Sequence, residues 1–320
     1  MAKKKGCLGC SLPVAIILVV LVLATVVMGL LAGPLGRAFG IEGLPSWMTL
    51  DTPHIKLPAD VLFNLFGFIP VTNTLIATWI TIILLSFVFW FAFKKPKMVP
   101  GKLQSALEAA LGWVYDICVS TAGERDGRRF FPFVTTLFLF IITSAWLALV
   151  PGFASIVVTY SDGSHGEFLR STGTDLSTTL ALALITFFTV EIIGFKRLGF
   201  GYLKKFFVFG GLAKGFKMLF SKENRGKAGM AIVTGFMTAF AGLLELVSEL
   251  VRILSLSFRL FGNMLAGEIL LLMMAFLIPY FLPLPFYGLE LLVGFIQALV
   301  FASLAIVYLS VAVTPHAEEH

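Results

Sequence analysis

The chain has 320 residues, of which 58% are hydrophobic, and its mean hydropathy is +0.96. A water-soluble domain must cover its surface with polar groups, so this composition excludes a soluble fold and indicates a membrane protein. A net charge of +6 would suggest an anionic partner for a soluble protein. In a membrane protein the informative property is instead how Lys and Arg are distributed among the loops.

Six apolar runs are long enough to cross a bilayer, which takes about 20 residues of helix. They lie at about residues 11–31, 75–93, 131–150, 176–195, 230–277 and 284–313. Every second loop is basic, and the other loops hold only Arg37, Lys56 and Arg170. Because basic loops face the cytoplasm, we predict an all-α membrane protein with about six transmembrane segments and both termini cytoplasmic. Its parts are an N-terminal anchor (1–34), an outer segment (35–71) and a membrane domain (72–320).

The first apolar run follows three lysines, as in a signal peptide, but its ~20 residues exceed the usual apolar region of such a peptide. We therefore predict a retained anchor. Cys7 and Cys10 precede it as a Cys-x-x-Cys pair, a potential site for a metal or for acyl chains. Since no second pair or histidine cluster completes a zinc site, we expect neither a metal nor a cofactor. With Cys118, the cysteines are too few for a disulfide framework.

Two segments outside the runs show helical patterns. In the outer segment, residues 60–66 indicate a short interfacial helix. Between Gly101 and Gly123, apolar residues recur at helical spacing, with Glu108 and Asp116 on the wetter side. This second pattern predicts an amphipathic surface helix that lies along the cytoplasmic face or against neighbouring subunits.

Asp175 immediately precedes the fourth run. A carboxylate at this position caps a helix, because it accepts hydrogen bonds from free backbone N–H groups. A second interpretation places Asp175 at an ion entrance on the outer side.

The fifth run contains no proline in 48 residues. As one helix it would be about 72 Å long, against a hydrocarbon core of about 30 Å. Two crossings would contradict the loop charges, so we predict one steeply tilted helix that forms a long C-terminal hairpin with the last run.

Polar side chains follow one face of the fifth run. At 100° per residue, an arc of about 80° holds Glu245, Glu249, Arg252, Arg259 and Asn263. Glu268 projects onto a different surface, and on the last run Glu290, Gln297 and Tyr308 share one face.

Arg259 is the hardest of these residues to explain by structure alone. A charge at mid-helix costs at least ~2.5–3.5 kcal/mol on insertion scales. Glu245, Glu249 and Arg252 lie nearer the cytoplasmic end, where internal ion pairs or contact with the interface account for them. No acidic residue lies three or four positions from Arg259, so its counter-charge must come from another helix or another chain. We therefore expect Arg259 to serve ion movement.

Residues 255–268 (SLSFRLFGNMLAGE), 297–301 (QALVF) and 306–310 (IVYLS) resemble subunit a of F-type ATP synthases. Residues 175–183 (DLSTTLALA) and 100–104 (PGKLQ) extend the resemblance. It implies a stator subunit that packs on a rotating ring of c subunits and forms two proton half-channels. Proton flow through them would be coupled to ring rotation and to ATP synthesis or hydrolysis. The implied partners are the c ring, b-type peripheral-stalk subunits, indirectly the F1 sector, protons and lipids of a bacterial plasma membrane, with no nucleic acid.

By this resemblance Arg259 is the stator arginine. Its permanent charge would stabilise each ring carboxylate in the deprotonated form and would block proton leakage between the half-channels. The other implied proton-path residues are Asn263, Glu268, Glu290 and Gln297 in the outer half-channel, Glu245 on the cytoplasmic exit side, and Asp175 and Tyr308. The family often holds one Glu and one His at positions 268 and 290, whereas this chain has Glu at both.

Two other classes of function compete with this interpretation. A stand-alone secondary transporter would need internal repeats, and we find none. A structural scaffold would leave Arg259, Asn263 and Gln297 unexplained. A Na⁺-translocating version of the same subunit is a further alternative. Since no G-x-x-x-x-G-K-[ST] loop occurs, we expect no ATP chemistry from this chain alone.

Overall fold

The computed structural model describes residues 12–34, 36, 59–65, 69–94, 101–150, 152–153, 157–159, 165–199, 225–279 and 282–314. Within these residues the helices are α1 (Leu12–Ala32), α2 (Asn73–Phe93), α3 (Lys102–Ala148), α4 (Leu176–Leu198), α5 (Arg225–Leu277) and α6 (Pro283–Val313). Two short antiparallel hairpins pair β1 (Val61–Leu65) with β2 (Ile69–Thr72) and β3 (Val157–Thr159) with β4 (His165–Glu167). A 3-10 turn occupies Thr172–Thr174.

The predicted helical membrane protein is confirmed in its main feature. Five described helices, α2 to α6, are long and apolar enough to cross a membrane, and α1 is apolar over Ile16–Ala32. The fifth predicted run is one uninterrupted helix that begins five residues early, at Arg225. Cys7 and Cys10, and most of the basic loop before α5, lie outside the described residues.

The helix predicted at residues 60–66 is wrong, because Val61–Leu65 forms a strand. It pairs with Ile69–Thr72, so that Leu65 lies opposite Ile69 across a short connection. A strand fits the β-branched and aromatic residues here, and the hairpin satisfies backbone groups that a single helical turn would leave free. Pro70 is tolerated because a two-stranded hairpin has only edge strands.

α3 changes direction at Gly123, where we predicted the surface helix to end. Gly123 has φ 78° and ψ 168°, a conformation essentially restricted to glycine. The first limb (102–122) folds back along the second limb (124–148), and a side chain at Gly127 would overlap the backbone at Cys118. The amphipathic first limb therefore packs against the protein's own third span, a contact that the sequence did not indicate.

Asp175 caps α4, as predicted. Its Oδ1 accepts a hydrogen bond from the backbone N–H of Ser177 at 2.9 Å. Its Oδ2 accepts another from the hydroxyl group of Thr74, at the start of α2, at 2.8 Å. One carboxylate thus caps one helix and joins it to a second.

One end of the helix bundle carries the turn between α5 and α6, and we call it the turn end. α1 reaches it, because a side chain at Gly29 would overlap the carbonyl group of Pro279. α3 ends there as well, where the Trp146 indole N–H donates to the Leu291 carbonyl oxygen at 3.1 Å. The opposite end carries the Gly123 bend. The N-terminus of α1 and the C-terminus of α6 point to this opposite end.

The core lies between the second limb of α3 and α6. Phe130, Ile141, Phe301, Ile306 and Leu309 are at most 2% exposed. Within the described residues, one side of α5 packs against α4, α6 and the 3-10 turn. Its other side, which we call the open face, exposes large apolar side chains: Phe236, Met237, Phe240, Leu243, Leu244, Val247, Leu250, Val251, Leu254 and Phe258.

Candidate functional site

Arg259 lies in the second half of α5, next to the exposed Phe258 of the open face. Its Nη2 is 3.5 Å from the hydroxyl oxygen of Ser255, one turn earlier. Within the described part of the chain it forms no ion pair. The counter-charge that the sequence requires is therefore not provided by the described helices.

Asn263 and Gln297 join α5 to α6 one helical turn beyond Arg259. The Asn263 side-chain N–H donates to the Gln297 carbonyl oxygen at 2.6 Å. Gln297 is 3% exposed, and its Nε2 has no hydrogen-bond partner among the described residues. Buried donors are normally satisfied, so this amide is prepared to bind water or a polar group from outside the chain.

Glu290 is 8% exposed, and its carboxyl group packs on the backbone of α5 at Gly267. Any side chain at Gly267 would overlap that carboxyl group, so the close approach requires glycine. Among the described residues the Glu290 carboxylate forms no hydrogen bond and no ion pair. Glu290, Gln297 and Tyr308 all contact α5, which confirms that they share one face of α6.

Glu268 faces away from the Asn263 side of α5, as predicted, and forms an ion pair with Arg170. Nε of Arg170 lies 3.1 Å from Oε1 and 3.4 Å from Oε2 of Glu268. The Arg170 side chain is 8% exposed and that of Glu268 33%. From its position in the sequence, Arg170 is only a basic residue of an outer loop. The signal that could have found it is that Arg170 is the one Lys or Arg between residues 151 and 174.

Arg170 is carried by a buried segment, residues 169–174, which we call the strap. Four of its side chains are at most 8% exposed, although polar loops normally lie on the surface. Gly173 lies so close to Met264 of α5 that a side chain there would overlap it. Met264 and Glu268 are one helical turn apart, so the strap follows a single face of α5.

A second ion pair lies towards the opposite end of α5. Arg252 donates to Glu249, three residues earlier, and Glu249 is 4% exposed. The Arg252 guanidinium carbon is also 4.3 Å from the centre of the Tyr308 ring. The internal ion pair that we weighed for these residues is therefore present. Glu245 is half-buried one turn before Glu249.

A hydroxyl pair holds α5 against α4 close to Arg259. The hydroxyl oxygens of Thr179 and Ser257 are 3.3 Å apart, and both side chains are at most 1% exposed. Ser257 precedes Arg259 by two residues. This contact fixes the rotation of α5 about its axis and so keeps Arg259 beside the open face.

The chain matches the family model for the ATP synthase A chain over residues 75–310. It belongs to the ATP synthase subunit a family. Relatives with the name ATP synthase subunit a include that of Geotalea daltonii, 34% identical over 232 residues, which cover 72% of this chain and 83% of the relative. That of Gloeobacter violaceus is 32% identical over 248 residues, covering 78% and 86%. That of Moorella thermoacetica is 32% identical over 264 residues, covering 82% and 99%.

Membership in the subunit a family confirms the resemblance drawn from the sequence motifs. The chain is thus a proton-translocating component of the membrane sector of ATP synthase and forms a complex with other subunits of that enzyme. The strap, Arg259 and the polar residues of α6 all lie within the matched range.

Proposed function

We propose that this subunit a is a stator that forms two proton half-channels against a ring of c subunits, with Arg259 facing the ring carboxylates. The observation that carries the proposal is the position of Arg259. It is a permanent cation beside the open face of α5, and it forms no ion pair within the described residues. Since an uncompensated charge in a membrane is costly, a carboxylate from a partner is the group that best fits this position.

A fixed guanidinium performs two tasks in this arrangement. It favours the ionised form of the ring carboxylate that passes it, so a proton leaves before the carboxylate reaches Arg259 and another is taken up afterwards. It also separates the two half-channels, because a permanent cation makes direct proton hopping between them electrostatically expensive.

Polar groups lead from the turn end to Arg259 and support an outer half-channel there. Glu268 and Glu290 come first, and the hydrogen-bonded pair of Asn263 and Gln297 follows within one turn of Arg259. The Nε2 of Gln297, which has no hydrogen-bond partner in the described part of the chain, is suited to a water molecule in such a path. Asp175 lies at the same end, where its Oδ2 accepts a hydrogen bond from the hydroxyl group of Thr74.

The inner half-channel would open towards the opposite end, with Glu245 on its exit side and Tyr308 beside it. That end carries the described basic residues that mark a cytoplasmic face: Arg125, Arg128, Arg129, Lys196 and Arg197. The N-terminus of α1 and the C-terminus of α6 point to it. This supports six spans with both termini cytoplasmic in a bacterial plasma membrane and a retained N-terminal anchor. Family membership supports contact with other subunits, which we propose include b-type stalk subunits and, indirectly, the F1 sector.

Cysteine cross-linking tests the proposed contact with the ring. Leu254→Cys and Phe258→Cys, on the open face, are expected to form disulfides with cysteines placed beside the c-subunit carboxylate in the assembled complex. Ile83→Cys on α2 is the matched control, because its side chain is 67% exposed on another helix. Equal cross-linking from α2 and α5, or purification of the subunit without any ring, would contradict the proposal.

A further inference from the structure

We infer that Arg170 is the fixed counter-ion of the outer half-channel, which holds Glu268 as a permanent ion pair and leaves Glu290 as the carboxylate that exchanges protons. The inference rests on the proposed function and assigns different tasks to two carboxylates of the same chemical type. Arg170 acts through Glu268, so it is a positioning residue.

The geometry of the pair supports a permanent interaction. Arg170 Nε lies within hydrogen-bond distance of both Glu268 oxygens, at 3.1 Å and 3.4 Å. The guanidinium is always protonated, and its side chain is only 8% exposed, so water compensates little of its charge. Removing either partner would break this ion pair and take its compensation away from the other charge.

The strap is built to hold Arg170 in place. Its 3-10 turn packs against several helices, and Gly173 touches the backbone-proximal part of Met264, one turn before Glu268 on α5. The Thr174 hydroxyl donates to the Ser171 carbonyl oxygen at 2.8 Å, which closes the turn. Directly after the strap, Asp175 caps α4 and accepts from Thr74 of α2. The position of the guanidinium is therefore set by three helices rather than by a mobile loop.

Glu290, unlike Glu268, has no fixed cation beside it within the described residues. It is 8% exposed, packs on Gly267, and makes no hydrogen bond or ion pair within the described residues. A carboxyl group in such surroundings has no partner that fixes one charge state, so it can take up and release a proton as its surroundings change. Gly267 directly precedes Glu268, so the two carboxyl groups meet α5 at consecutive residues.

A double-mutant cycle on the whole complex tests this division of tasks. ATP-driven proton pumping is measured in inverted membrane vesicles, per assembled complex, for Arg170→Gln, Glu268→Gln and the double variant. Each single variant breaks the ion pair and changes the net charge of the site by one, and it is expected to slow pumping at least about threefold. The double variant is neutral, and it is expected to pump at least about threefold faster than the product of the two single losses allows.

The exposed ion pair of Arg197 and Asp126, 2.6 Å apart, is the matched control, and Arg197→Gln is expected to pump as the wild type does. Arg170→Lys keeps the charge and is expected to retain most of the pumping. Strictly multiplicative losses, a silent Arg170→Gln, or an Arg170→Lys that assembles but fails as Gln does would each overturn the inference. Should Arg170→Gln fail to assemble, assembly of the double variant supports the pair, and its failure to assemble contradicts it.

Arg259→Ala in the same vesicles distinguishes a failure of the role inferred for Arg170 from a failure of the proposed function. If Arg259→Ala abolishes pumping while Arg170→Gln is silent, only the role of Arg170 is lost. If Arg259→Ala pumps normally, the proposed function itself fails.

Discussion

The two ion pairs of α5 lie on either side of Arg259 and are built in different ways. Glu249 and Arg252 belong to one helix and are three residues apart. Glu268 and Arg170 are 98 residues apart, and the buried strap brings them together. Arg259, between them, has no ion pair within the described residues.

This difference shows which charges serve the chain alone. The spacing of Glu249 and Arg252 on one helix allows their pair to form within α5, and Tyr308 adds a cation–π contact from α6 that joins the two helices of the hairpin. The pair of Glu268 and Arg170 exists only when the strap is packed against α5, so it depends on the tertiary structure around a proposed half-channel. Within the described residues Arg259 takes part in neither pair, which agrees with the counter-charge that we propose a c subunit provides.

The largest effect is expected at Arg259. Arg259→Ala should reduce ATP-driven pumping of the complex more than Glu268→Gln or Glu290→Gln, because it alone removes the separation between half-channels. Each glutamine variant removes one acid–base group, and such a loss typically costs about 10²-fold or more in rate. Water molecules that carry the proton past the missing group reduce that cost. Pumping per assembled complex ranks the three variants, and an equal loss in all three would contradict the ranking.

The next effect is expected at Gly267. In Gly267→Ala the new methyl group overlaps the Glu290 carboxyl group, which moves because it is the end of a flexible side chain. Displacing a reacting group by about 1 Å can cost up to 100-fold, so we expect pumping to fall about tenfold with normal assembly.

Gly288→Ala is the control for that substitution. Gly288 lies on the same helix as Glu290, and a side chain there would meet nothing within 4 Å. Equal pumping by the two alanine variants would show that the contact of Glu290 with Gly267 has no functional weight.

For the pair of Glu249 and Arg252, the expected effect is on stability rather than transport. Glu249→Gln leaves Arg252 with Tyr308 as its remaining described contact and should destabilise the subunit by about 1–3 kcal/mol. Thermal unfolding of the purified complex measures this loss. A variant with normal stability but abolished pumping would instead place Glu249 in the proton path.

The smallest effect is expected at Asp175, and it separates the two interpretations of that residue. Asp175→Asn keeps a good N-cap, whereas Asp175→Ala loses it at a cost of about 1 kcal/mol. If capping is the main role, only the alanine variant lowers thermal stability and neither variant changes pumping strongly. An Asp175→Asn variant that is stable but pumps poorly would favour the ion entrance.

The sequence predicted most of the helices because their signals are local. The apolar runs locate α1, α2, α4, α5 and α6 within five residues of their observed bounds, whereas the run at 131–150 marks only the second limb of α3. The 100° projection places the polar residues of α5 and α6 on the faces that they occupy. Asp175 is readable as a cap for the same reason, since its partner N–H group is two residues away. The unbroken helix from Arg225 follows from the absence of proline in the fifth run.

The features that the sequence did not predict depend on contacts between separate elements rather than on the pattern within one element. The hairpin at Val61–Leu65 needs its partner strand, and the fold-back of α3 needs the contact at Gly127. Arg170 is the clearest example, because no residue near it in the sequence indicates that it pairs with Glu268, 98 residues away. In the loop pattern it is simply one of the few basic residues on the outer side.

The most direct test of the central claim measures two proton fluxes in the same vesicles that carry Arg259→Ala. One is ATP-driven pumping by the intact complex, and the other is passive flux through the membrane sector after removal of the peripheral ATPase. If Arg259 is the fixed charge that separates two half-channels, pumping falls to background while passive flux persists. Pumping near the wild-type rate, or loss of both fluxes in a normally assembled complex, would contradict that role.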